Sequence, residues 1–102
     1  MLMTKRKPAT MAEILVEEFM EPMDLTQAAL AEAMGVQRKH VNELCNDRRN
    51  VTAATALILA RVFGNSPGFW LNVQRRNDLW DAMHNPTQRK RIDRAKPLTE
   101  AA

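Results

Sequence analysis

Tyrosine is absent from the 102 residues, glycine occurs three times and cysteine once. Sheets favour aromatic and β-branched residues, whereas the Ala, Leu, Met, Glu, Gln and Arg that are plentiful here favour helices. The expected fold class is therefore all-α. A single thiol, Cys45, excludes an internal disulfide, and the two separated histidines, His40 and His84, belong to no set of side chains at metal-ligand spacing. There is no glycine-rich phosphate loop and no Ser-His-Asp candidate on a suitable scaffold. Catalytic residues, a metal and a cofactor are accordingly not expected. No run approaches the roughly 18 apolar residues of a membrane span, and the basic start "MLMTKRKPAT" is not followed by an apolar segment of the secretory kind. A cytoplasmic protein with no membrane association is the expectation, and the length suits one domain with one core.

Positive charge is missing from a long stretch. Between Pro8 and Gln37 there is no Lys or Arg, while Glu13, Glu17, Glu18, Glu21, Asp24 and Glu32 all lie there. The later basic residues begin at Arg38 and outweigh these acids, giving a net charge of +3 and a pI near 9.5. Such asymmetry suggests two surfaces for two kinds of partner.

Helix punctuation divides the chain. Thr10, with Glu13 three residues on, forms a capping box for a helix over 10–19, whose apolar stripe is Met11, Ile14, Leu15 and Phe19 and which Pro22 ends. Thr26 caps a second helix that runs to Met34, with Leu30 and Met34 facing one way and Ala29 and Ala33 small enough for close contact. Gly35 then supplies a positive φ. A third helix over 37–45 buries Val41 and Leu44, and "NDRRN" reads as an exposed loop. Thr52 caps a fourth helix, apolar almost all round at Leu57, Ile58, Leu59, Ala60, Val62 and Phe63 and hence expected at the centre of the core. Gly64 ends it. Ser66 and Pro67 start a fifth helix to about Met83. This gives an arm (1–9), a five-helix body (10–83) and a basic tail (84–102). Disorder is the default for the tail, with a short helix over 87–95 as the alternative.

Two short helices joined across a glycine turn, over 26–45, have the helix-turn-helix arrangement. A small Ala31 beside Leu30 lets the second helix cross closely, and Val36, Val41 and Leu44 hold it in place. Its outward residues, Gln37, Arg38, Lys39 and Asn42, are the types that engage two base-edge atoms at once in the major groove of DNA. Glu43 is a further base-reading candidate, by accepting from cytosine, or else orients Lys39 through an i to i+4 pair. Gln27, His40, Asn46, Arg48, Arg49 and Thr52 are the candidates for phosphate contact. One such unit reads few base pairs, so a homodimer on a palindromic operator is expected, through Trp70, Leu79, Trp80 and Met83.

These residues carry a resemblance. The stretch 26–50 looks like the helix-turn-helix of the phage-repressor-like (Xre/Cro) superfamily, and "SPGFWLNVQRRNDL" is similar to a near-signature of the HigA antitoxins of toxin-antitoxin modules. The resemblance departs from that pattern at Gly68 and Asn77. It implies a five-helix phage-repressor-like fold with a C-terminal extension, repression of the chain's own operon, and binding of a small basic mRNA-endonuclease toxin. The acids Glu13, Glu17, Glu18 and Glu21 would suit such a toxin. A repressor without a toxin and an interaction module that does not bind DNA remain as alternatives.

Overall fold

The computed structural model describes residues 6–98; positions 1–5 of the expected arm and 99–102 of the expected tail lie outside them. Among the described residues, all regular structure is helical. Thr10 opens the first helix through the predicted box: its hydroxyl accepts from the Glu13 N–H at 3.1 Å, and the Glu13 carboxylate accepts from the Thr10 N–H at 2.9 Å. Two of the donors that a helix start leaves unpaired are thereby satisfied. One α-helical turn, α1 (Met11–Glu13), runs into a π-helical stretch (Ile14–Met20). The wider turn of a π-helix carries the buried positions from Met11 to Leu15 and then five residues on to Met20. Ile14 and Phe19 are half-buried beside them.

Thr26 caps α2 (Gln27–Met34), Thr52 caps α4 (Ala53–Phe63), and Ser66, with Pro67 behind it, caps α5 (Pro67–His84), each accepting a backbone N–H three residues on. Between them, α3 (Arg38–Cys45) starts at Gln37, which makes no side-chain cap. The extension is not left irregular. It holds a further helix, α6 (Pro86–Arg94), because Asn85 accepts from the Gln88 N–H at 3.0 Å and Pro86 pre-sets the first turn.

Four helix ends are closed by one device, a residue in the left-handed region whose successor donates its N–H five residues back. Gly35 and Gly64 serve as predicted, both at φ 71°, and the Val36 and Asn65 N–H groups reach the carbonyls of Ala31 and Ala60 at 3.0 and 3.1 Å. Asp24 and Asp47 do the same at φ 50° and 55°. Asp47 also makes a distant bond, its Oδ1 accepting from the Ala12 N–H at 3.0 Å, which ties the loop after α3 to the start of the first helix.

Leu15, Leu30, Val41, Leu44, Leu59, Trp70 and Val73 form the fully enclosed centre. Trp70, expected at a dimer surface, is instead 0% exposed. Its ring lies 4.8 Å from Phe19, 5.7 Å from Phe63 and 5.0 Å from Phe69, and its Nε1 donates to Asn65 Oδ1 at 2.9 Å. A ring so enclosed, with its polar atom satisfied inside the chain, has nothing to offer a second copy. The central placement expected of α4 also needs correction, since Leu57 is 60% exposed and only Thr55, Ala56, Leu59 and Ala60 are buried. In α2 the small residue at the crossing is Ala31, whereas Ala29 and Ala33 face solvent.

The two roles of Asp47 are separable. Asp47→Ala should cost about 1–3 kcal/mol by leaving the Ala12 N–H without its acceptor. Asp47→Gly loses the same bond but relieves about 1–2 kcal/mol of left-handed strain, so urea unfolding should rank it the more stable of the two.

Candidate nucleic-acid interface

α3 lies against α2 with Val41 and Leu44 turned into the core beside Leu30 and Ala31. That grip leaves Arg38, Lys39 and Asn42 exposed on the outer side, with Gln37 exposed one residue ahead of the helix. All four expected base-reading side chains are brought together on one outward surface, although the helix begins at Arg38 rather than Gln37. The neutral pair within the motif is placed by α2: Gln27, half-buried at its first position, accepts at Oε1 from Asn42 Nδ2 at 3.2 Å. This bond uses one of the two amide hydrogens of Asn42. The other hydrogen and the carbonyl oxygen remain, the pair of groups that adenine requires.

Glu43 stands differently from either expectation. It is half-buried and pairs with Arg49, Nε to Oε1 at 2.9 Å, and not with Lys39. The turn closed by Asp47 brings the chain back so that Arg49 can reach α3. The phosphate candidates therefore divide. Arg48 is exposed and, among the described residues, has no side-chain partner, whereas Arg49 is exposed but paired. Asn46 is exposed, its Nδ2 donating to the Asn42 carbonyl at 2.8 Å. Thr52 is exposed as well, but its hydroxyl is occupied by Thr55.

His40 is half-buried on α3, and its Nε2 is enclosed without a hydrogen-bond partner among the described residues. Burial, reinforced by the Arg49 guanidinium and opposed by Glu43, holds the imidazole below its ordinary value of 6.5. It is a neutral group at pH 7. Cys45 closes the helix half-buried, its Sγ 3.6 Å from Met20 Sδ, and burial raises its thiol.

On α5, Leu79, Trp80 and Met83 are half-buried at the end away from Trp70. Trp80 stacks on His84 with ring centroids 3.7 Å apart, Lys7 Nζ lies 5.6 Å from its ring, and its Nε1 is enclosed without a partner among the described residues. Asn77 donates to the Ala9 and Val73 carbonyls, both at 2.9 Å, and so binds the arm to α5. Nothing in the spacing of the sequence marks that tie. Glu17, Glu18 and Glu21 are exposed, whereas the Glu13 carboxylate is engaged in its cap. Among the described residues no group of three or more His, Cys, Asp or Glu could hold a metal ion, and no helix is long and apolar enough to cross a membrane.

Residues 16–70 match the helix-turn-helix family. Antitoxin HigA-1 of Vibrio cholerae serotype O1 is 46% identical over 95 residues, which cover 93% of this chain and 88% of the relative. Two solved structures are similar throughout. The Pseudomonas aeruginosa antitoxin HigA with the higBA promoter has a TM-score of 0.80 and 34% identity, covering 90% of this chain and 99% of its own. Antitoxin GraA in complex with its operator has a TM-score of 0.81 and 34% identity, covering 97% and 99%.

The half-buried imidazole has a pH signature of fixed sign. Because His40 titrates lower when folded than when unfolded, the unfolded chain binds the extra proton first. The stability that the neutral ring contributes is present above the ordinary value and is lost as pH falls through the folded one. Unfolding measured from pH 7 downward should show this loss, and His40→Gln should remove its share.

Proposed function

The chain belongs to the HigA antitoxins of the helix-turn-helix family, and from that membership we propose that it binds its own operator as a dimer and neutralises a cognate toxin. The observation that carries the reading is the outward cluster Arg38, Lys39 and Asn42 on a helix set across α2, with Asn42 oriented by Gln27. Relatives with the same fold are bound to promoter or operator DNA, which supports the same docking for α3 here. In the major groove, Arg38 and Lys39 suit guanine O6 and N7, Asn42 suits adenine, and Gln37 sits where the helix enters. Arg48, Gln27 and Asn46 grip phosphates and set the register. Arg49 joins them when a phosphate oxygen replaces the Glu43 carboxylate.

Two copies related by a twofold axis would place their α3 helices about 34 Å apart, one turn of a palindromic site. Leu79, Trp80 and Met83 are the apolar surface for that pairing. The toxin, a small basic mRNA endonuclease in this family, suits the exposed Glu17, Glu18 and Glu21 by opposite charge. The chain's own work is binding in the cytoplasm rather than catalysis.

In a mobility-shift series on the chain's own promoter, Arg38→Ala should cost about 1–3 kcal/mol and relax preference at one base position. Arg48→Ala should weaken all sequences alike and lower the salt slope by about 0.9. An altered sequence preference in the Arg48 variant would overturn the division between reading and gripping. For the second partner, replacing Glu17 and Glu18 together by Lys should slow toxin association in stopped flow, and unchanged kinetics would move the toxin to another face.

A further inference from the structure

The geometry points to α6 as a second, sequence-independent contact for the phosphate backbone of duplex DNA flanking the operator, an inference that rests on the operator reading above. The helix is made by local means alone: the Asn85 cap, Pro86 in the first turn, and Arg89 Nε on the Asp93 carboxylate at 3.1 Å. None of its residues is buried. It gains nothing from the core, and a helix this short has little stability of its own in water.

Its charges are arranged for something outside it. Thr87, Lys90, Arg91 and Arg94 follow one another at helical spacing and line one shallow groove. Among the described residues, Lys90, Arg91 and Arg94 have no acidic partner, since the one acid of the helix, Asp93, is taken by Arg89 on another side. The negative end of the helix dipole favours cations at Arg91 and Arg94, but Lys90 and Arg94, four residues apart, repel each other. An external row of anions would relieve that repulsion.

A protein partner suits this face poorly. Stable protein interfaces have an apolar centre depleted of charge, and the large apolar residue of α6, Ile92, 42% exposed, lies off the basic row. A phosphate backbone asks only for cations and donors, and the guanidinium forks of Arg91 and Arg94 match it. With α3 on the operator, the covalent link through α5 raises the effective concentration of α6 for any phosphate within its reach.

The test uses the full chain and the triple variant Lys90→Ala, Arg91→Ala, Arg94→Ala, in which alanine preserves helix propensity. Affinity is measured against salt on a duplex from the promoter region of its own gene, extended about ten base pairs beyond the protected site, a helical turn. An unrelated duplex of equal length is the second arm. On both, the log–log salt slope should fall by about 0.9 for each phosphate that the variant no longer neutralises, with the protected bases unchanged. Equal slopes for variant and wild type would overturn the proposal, as would a variant whose only change is loss of dimer mass in sedimentation. If wild type does not prefer its promoter over the unrelated duplex, the operator reading fails, while the slopes on the unrelated duplex still decide the role of α6.

Discussion

An eight-residue helix that buries two side chains cannot hold its own orientation, and this constraint shapes everything around α3. Enclosing Val41 and Leu44 gains about 3–6 kcal/mol, whereas fixing eight residues of backbone costs about 8–16 kcal/mol. The helix cannot bury more without turning its reading surface inward. What it lacks in burial is supplied at its ends and by its neighbours. On the entry side the Val36 N–H is bonded to Ala31; on the exit side Arg48 is bonded to Glu43. The Asp47 carboxylate then fastens that exit to the start of the first helix. The aromatic cluster around Trp70, which joins the first helix, α4 and α5, keeps the frame rigid behind it.

The same residues explain what is legible in the sequence. Caps are local, so Thr10, Thr26, Thr52 and Ser66 can be read from their own neighbours, and so can Gly35 and Gly64. Asp24 and Asp47 escape because aspartate adopts left-handed backbone only when its surroundings hold it there, and the group that helps hold Asp47 is 35 residues away. The apolar run of α4 looks central because composition does not tell which side faces water, and Leu57 faces it. Counting apolar residues against an assumed core draws Trp70 to a dimer surface, and the three Phe rings that enclose it come from three different elements. The outward set on α3 is legible because residue type and helical period together decide it. The Glu43 partner is not, since Arg49 reaches it only through the turn at Asp47.

The residues expected to read bases and to grip phosphates are also linked to one another. Asn42 is bonded to Gln27 and Glu43 to Arg49, so each link joins a candidate for base reading to a candidate for phosphate contact. Both members of the Arg49 pair are partly solvated, and exposed ion pairs contribute about 0–1 kcal/mol. A phosphate oxygen can therefore displace the carboxylate at small cost. The amide pair needs no displacement, because Asn42 keeps a free donor and acceptor while Gln27 holds it.

The π-helical stretch gives the first helix a surplus. An i to i+5 ladder contains one residue more per turn than the core positions at its two ends would need in an α-helix. The extra length appears on the outer side, where Glu17 and Glu18 stand in solvent. A chain one residue shorter there could set Leu15 and Met20 in the same places with ordinary helical geometry. The outer face of this helix can thus drift in length and sequence without moving the frame that carries α3.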